Sequence, residues 1–214
     1  MLAPQQLVSC SPNPQHCGGT GGCDGSTQEL AFTYTEGTGL TLESDYSYEG
    51  VTGKCQKDKI KPLVSNTGFV KLPQNNYTAL MTAVSTVGPM AISVAAGSFD
   101  WQVYGGGVYS GDGCGWTEDH AVGLVGFGSA KKINKEMYWI VRNSWGADWG
   151  EEGYMRLKRF GEGKEPCGMD KKPQDGGACA GDTKPIQLCG ACGILSDTSY
   201  PTGVKMADAV VEQA

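Results

Sequence analysis

The sequence predicts an α+β protein built as two domains, and three observations point there. Apolar residues at helical spacing come first: Leu30, Ala31 and Tyr34 within Thr27–Thr35, then Tyr77, Leu80, Met81, Val84 and Val87 within Asn75–Val87. Strand-like apolar runs follow, and helices succeeded by strands mark α+β architecture rather than alternating α/β units. The length of 214 residues suits one large domain or two small ones. Its 33 glycines indicate a turn-rich chain, and its 9 cysteines imply disulfides and an oxidising compartment, secretory, lysosomal, vacuolar or extracellular. The odd cysteine count leaves at least one sulfur free or paired outside the chain.

Composition also excludes. A formal net charge of −6 and a pI of about 4.9 disfavour nucleic acid and anionic membranes as partners. The most apolar window, Met81 to Ala96, is interrupted by Gly88-Pro89 and several hydroxyls, so no membrane span is expected. No cofactor signature is present.

Taken in order, Cys17-Gly18-Gly19-Thr20-Gly21-Gly22-Cys23-Asp24-Gly25-Ser26 is a glycine-rich loop. It is either a surface turn or a backbone edge on which an extended peptide adds a strand. It has no P-loop lysine, which argues against a phosphate site. Gly37 follows the Thr27–Thr35 helix, and Gly88-Pro89 ends the second one. Asn76-Tyr77-Thr78 is a glycosylation sequon or simply polar surface. Strands are expected over Met90–Ala95, Gly107–Ser110, Ala121–Gly126, Met137–Arg142 and Tyr154–Arg159. Glu165–Leu188 is rich in Pro, Gly, Lys and Asp and reads as a disulfide-stapled loop. Cys189-Gly190-Ala191-Cys192 keeps a weak zinc alternative open, though no metal is assigned. Met206–Ala214 reads as a surface tail or a helical turn.

The chemistry concentrates between Asp119 and Trp149. The chain has two histidines, His16 and His120. His120 opens an apolar strand, and Asn143 ends the next one. Antiparallel pairing can bring them together. The Asn oxygen would then hold one ring N–H and free the other nitrogen for proton transfer, with Trp145 shielding the bond.

Asp119-His120-Ala121-Val122 with Gly126-Phe127-Gly128, then Asn143-Ser144-Trp145-Gly146, Trp149-Gly150 and Gly153-Tyr154-Met155-Arg156, resembles the His/Asn half of papain-like cysteine peptidases of the papain and cathepsin L group. The resemblance implies a two-domain papain-like fold. The remainder of its helical domain would be 1–68. Its antiparallel β-barrel-like domain would be 69–198, with the Cys-rich insertion 165–188, and a C-terminal segment and tail would occupy 199–214. It implies a peptide or protein substrate, His120 as acid/base, Asn143 as its orienting partner and Trp145 as the cover. Gly25, Ser26, Ser93, Asp119, Ala121 and Asp197 would line the substrate site. Asp197 would stand at the end of a side-chain pocket, where it accepts basic side chains, or it points to solvent. Cys10–Cys55 and Cys114–Cys192 are the implied disulfides, with Cys114–Cys167 as the alternative to the second.

Met-Leu-Ala-Pro-Gln-Gln-Leu-Val-Ser-Cys, residues 1–10, resembles the family's segment that follows the nucleophile helix. The family's Cys-Gly-Ser-Cys-Trp motif and its oxyanion Gln are not in this sequence, and the family's spacing puts them upstream of Met1. Cys23 matches a cysteine whose partner belongs to that same segment. A second polypeptide, or further residues of the chain, is therefore expected to cover Leu30, Phe32 or Tyr34, which would otherwise be bared. Three readings follow: an endopeptidase completed by such a segment, a papain-like scaffold or binding subunit without turnover, and a cysteine-rich metal module.

Overall fold

The computed structural model describes residues 1–130 and 136–207. The expected tail Met206–Ala214 falls largely outside that range. The helices are α1 (Pro4–Cys10), α2 (Gln28–Thr38), α3 (Tyr77–Thr86) and α4 (Phe99–Gln102). The first strands are β1 (Val64–Ser65), β2 (Gly68–Lys71), β3 (Met90–Val94), β4 (Val108–Tyr109), β5 (His120–Ser129), β6 (Met137–Arg142) and β7 (Tyr154–Arg159). They are followed by β8 (Cys167–Asp170), β9 (Ile186–Cys189), β10 (Thr198–Thr202) and β11 (Lys205–Met206). The chain divides into two compact units, Met1–Val70 with Pro201–Ala214, and Lys71–Tyr200.

The first unit is organised by polar side chains. α1 starts with proline at its first turn, where a missing N–H costs nothing. It turns Gln5 and Gln6 inward, both fully buried. Gln5 Nε2 donates to Ser9 Oγ at 3.0 Å and Val51 O at 2.9 Å, while its Oε1 accepts from the N–H groups of Glu49 and Gly50 at 2.9 and 3.2 Å. All four hydrogen-bonding positions of that amide are used. Gln6 ties Gly39 O, Thr41 N–H and Tyr34 Oη together at 2.9, 2.9 and 3.1 Å. Leu30, Phe32 and Tyr34 are half-buried rather than bare, and Phe32 packs on Phe69 with ring centroids 6.1 Å apart. Cys10 is bonded to Cys55, and β1 pairs antiparallel with β11.

The second unit holds the apolar core. Its sheet runs β10-β3-β5-β6-β7-β4, antiparallel except at the edge, where β4 lies parallel to β7. The period of two seen in the sequence is the burial pattern: Trp139 and Val141 of β6, and Met155 and Leu157 of β7, face inward. α3 packs Leu80, Ala83 and Val84 on this core, with the Tyr77 ring 5.9 Å from Trp139. Cys114 is bonded to Cys192, fixing the loop ahead of β5 to the turn ahead of β10.

The insertion 165–188 is more ordered than its composition predicts. β8 and β9 form an antiparallel hairpin, with Cys167–Cys189 bonded across its open end. Its polar loop composition hid two short edge strands, which the disulfide and the hydrogen bonds of Asn75 to Gln187 and Cys189 hold in register. Cys189 and Cys192 are thus both committed to disulfides, which removes the thiolates a zinc site would need. Among the described residues no group of three or more His, Cys, Asp or Glu is placed to hold a metal ion, and no helix is long and apolar enough to cross a membrane.

Candidate active site

His120 begins β5, and Asn143 follows the last residue of β6. The register Gly123↔Arg142 between those strands sets the two side chains on neighbouring backbones. Asn143 Oδ1 lies 2.8 Å from His120 Nε2 and also 2.8 Å from the backbone N–H of Ser144. A backbone N–H can only donate, so the atom it meets is oxygen and the orientation of the amide is fixed. The same oxygen faces His120, so Nε2 must carry the hydrogen and donate it. The neutral imidazole then presents Nδ1 as its basic nitrogen, and Nδ1 has no hydrogen-bond partner among the described residues. Asn143 is buried, and its backbone N–H donates to Gly153 O at 2.9 Å. Its Nδ2 has no partner among the described residues, so the two bonds to Oδ1 alone fix the side chain.

Trp145 lies against the imidazole with ring centroids 5.0 Å apart, while 42% of it remains exposed. Behind it Trp149 meets Trp145 edge-on at 5.5 Å and donates from Nε1 to Gln102 O at 3.1 Å. Trp149 also packs on Trp101 and Tyr104. Gly150 allows this close stack, since a Cβ there would come within 3.0 Å of the Tyr104 ring at a φ of +60°. Sequence reasoning singled out Trp145 but gave Trp149 no role, although the repeated Trp-Gly spacing was its visible signal.

Asp119 holds the other side of His120. Its Oδ1 accepts from Ala96 N–H at 2.7 Å, and its own N–H donates to Val94 O at 3.1 Å. It anchors the start of β5 to the end of β3. Ser93 and Ala121 are paired across β3 and β5, next to the pair Val94↔His120. Ser93 Oγ donates to Asp197 Oδ2 at 2.7 Å, and Asp197 Oδ1 forms an ion pair with Lys71. Asp197 does not point to solvent, for only 14% of its side chain is exposed. The expectation that it waits for a basic ligand also needs correcting, because Lys71 already balances its charge.

Close by lies Glu118, buried, with its Oε1 unpartnered among the described residues. Burial, then the Asp197 carboxylate, push its carboxyl up to about 9, against a hydrogen bond from Ser196 and the charge of Lys71. At neutral pH Glu118 is therefore neutral, and the Lys71–Asp197–Glu118 group carries no net charge. Neither Glu118 nor Lys71 was picked out by sequence reasoning, since both belong to motifs only through tertiary contact.

Gly25 and Ser26 belong to the first unit. The loop crosses itself: a Cβ on Gly19 would overlap Asp24 O, and one on Gly25 would overlap Gly18 O. Gly21 N–H donates to Gly25 O at 2.8 Å. Several of its glycines thus serve the loop's own packing. The N–H of Gly25 has no partner among the described residues, and Ser26 is exposed. Eight cysteines are in disulfides, and Cys23, exposed in the same loop, is the free one.

The sheet thus presents an imidazole bonded to an Asn, with a Trp packed on its ring. Residues 1–176 match the papain family of cysteine proteases, and the chain belongs to that family. It is 36% identical over 203 residues to the senescence-specific cysteine protease SAG12 of Arabidopsis thaliana, covering 94% of this chain and 49% of that protein. It is 39% identical over 171 residues to mouse procathepsin L, covering 78% of this chain and 49% of that protein. The chain thus spans about half the length of the curated relatives it matches. Among solved structures, the bromelain protease of Ananas comosus in complex with the E64 inhibitor matches with a TM-score of 0.71 and 32% identity, over 94% of this chain and 77% of that one. The proform of the ragweed pollen allergen Amb a 11 matches at a TM-score of 0.72 and 32% identity, over 94% of this chain and 51% of that one.

Proposed function

We propose that this chain supplies the acid/base half of a peptide-bond-hydrolysing site, with His120 as proton carrier, Asn143 as its positioning residue and Trp145 as its cover. The observation that carries the reading is the bond from His120 Nε2 to an Asn143 oxygen whose identity the Ser144 N–H fixes. Hydrolysis by this route needs a thiol facing Nδ1. The imidazole takes the thiol proton, the thiolate attacks the peptide carbonyl, and the imidazolium protonates the leaving amine. The neutral imidazole then takes a proton from the water that opens the thioester. The Cys-Gly-Ser-Cys-Trp motif that supplies such a thiol is not in this sequence. The second reading is a papain-like scaffold without turnover.

Co-expression with a relative's segment bearing the nucleophile motif separates the two. Cleavage of a fluorogenic peptide by the purified complex, abolished by His120→Ala, supports the peptidase reading. A stable complex with no cleavage leaves the scaffold. Nitrogen chemical shifts of the imidazoles give a readout that needs no turnover. The protein has two histidines, so His16→Gln isolates His120. Nε2–H is the expected tautomer, and Asn143→Ala should let Nδ1–H compete. An unchanged tautomer would reject the geometry.

The substrate we propose is an extended peptide that lays one side chain against Ser93, Ala121 and Asp197. Because Lys71 pairs Asp197, that pocket ends in a neutral group and favours apolar side chains. Removing the lysine exposes a carboxylate in a poorly hydrated place, where a charge-assisted hydrogen bond contributes about 1.5–3 kcal/mol. In the active complex, Lys71→Ala should raise cleavage after an Arg-containing pair relative to a Phe-containing pair by roughly tenfold or more, at about 1.4 kcal/mol per tenfold. An unchanged ratio would remove Lys71 and Asp197 from the pocket.

A further inference from the structure

The sequence contains a single Asn-X-Ser/Thr triplet with X other than Pro, Asn76-Tyr77-Thr78, and it falls at the start of α3. Asn76 is exposed and caps the helix: its Oδ1 accepts the N–H of Ala79 at 2.8 Å. Its Nδ2 has no hydrogen-bond partner among the described residues. The fold therefore uses the oxygen of this amide and leaves the nitrogen to solvent. The adjacent Asn75 provides the contrast. Its Nδ2 donates to Gln187 O and its Oδ1 accepts from Cys189 N–H, both at 2.8 Å, so both ends of that amide are consumed by the β8–β9 hairpin. Gln74, Thr78, Glu162 and Gln187 around the cap are exposed and polar, so a hydrated sugar would cover little apolar surface.

We propose that Asn76 carries an N-linked oligosaccharide, attached through the amide nitrogen that the helix cap leaves unused. The donor class is a polyprenyl-diphosphate-linked oligosaccharide. The bond from the sugar's C1 to the diphosphate oxygen breaks, a bond from C1 to Asn76 Nδ2 forms, and one Nδ2 proton is lost. The lipid diphosphate leaves with the electron pair. The capping oxygen is untouched, so helix and glycan do not compete. Transfer precedes the docking of α3, because in the folded protein the Thr78 hydroxyl donates to Glu162 at 2.8 Å. Eight disulfide-bonded cysteines fit the oxidising compartment in which such transfer occurs. This inference does not depend on the peptidase reading.

The test is expression in a secreting eukaryotic host, with intact mass measured before and after treatment with a peptide amidase that releases N-glycans. The expected result is one glycan on the wild-type protein and conversion of Asn76 to Asp on release. Asn76→Asp keeps the capping oxygen but removes the acceptor nitrogen, and Thr78→Val removes the hydroxyl while leaving the cap. Both should give the bare polypeptide mass, whereas Thr78→Ser should retain the glycan. Cell-free translation with microsomes scores the same four proteins before folding, so a variant that misfolds still reports. Wild-type protein of bare mass in both systems, or a glycan that survives Asn76→Asp, overturns the proposal.

Discussion

The two units of this chain differ in the large side chains they bury. Lys71–Tyr200 closes over Trp101, Trp139, Ile92, Leu124, Val141, Met155 and Leu157, all essentially inaccessible. In Met1–Val70 the buried side chains are mostly polar: Gln5, Gln6, Gln28, Thr35, Thr41 and Asn66, with Tyr46 as the main large aromatic. Apolar burial is non-directional and tolerates small adjustments. A buried amide is stable only when each of its donors and acceptors meets a partner, and losing one costs the full desolvation of the orphan. The sheet unit is therefore held by the amount of surface it hides. The first unit depends more on the exact pairing of a few groups and on Cys10–Cys55.

Substitutions can break this contrast, beginning with the largest effect. Trp139→Ala removes a fully buried ring that touches Tyr77 and Phe127. It should destabilise the sheet unit by about 3–5 kcal/mol in denaturant titrations. A loss under about 1 kcal/mol would mean that the apolar core is not what holds this unit. In the first unit, Gln6→Ala strands Gly39 O and Thr41 N–H, each worth about 1–3 kcal/mol when left unpaired. The sharper variant is Gln6→Leu, which refills the volume without restoring the bonds. It should be no better than Ala, and a Leu variant as stable as wild type would show that this interior is ordinary packing.

The third substitution concerns a buried acid of the sheet unit, Glu118. Glu118 has a folded-state value of about 9 against an ordinary 4.5. A raised carboxyl favours the fold when protonated, so its contribution is complete below about pH 4.5, declines as the pH climbs and is exhausted above about 9. Glu118→Gln keeps the neutral form at every pH. Relative to wild type it should gain stability between pH 5 and pH 8, by on the order of 1–3 kcal/mol. A difference that stays flat, or moves the other way, would mean that the carboxyl is ionised in the fold.

Much of the sheet unit was legible in the sequence. The strands from Met137 and Tyr154 were bounded correctly, because period-two apolar spacing survives wherever one face meets a core. The helix ahead of Gly88-Pro89 was legible for the same reason. The β8–β9 hairpin was not. Its strands are short edge strands, without apolar alternation, and depend on Cys167–Cys189 and on Asn75 for their register. The contact between His120 and Asn143 could be anticipated from two adjacent strand ends, but the environment of Asp197 could not. Lys71 lies 126 residues away along the chain, and no local pattern ties the two together.

By itself the sequence determined the family, the period of each core element and the residue types at the site, because those depend on local spacing and side-chain chemistry. Only the tertiary structure decided which imidazole nitrogen carries the hydrogen, that Asp197 is already balanced by Lys71, that Glu118 is neutral, and that Gln5 and Gln6 serve as core. Each of these depends on the partner a polar atom meets and on how much water remains around it, and folding sets both.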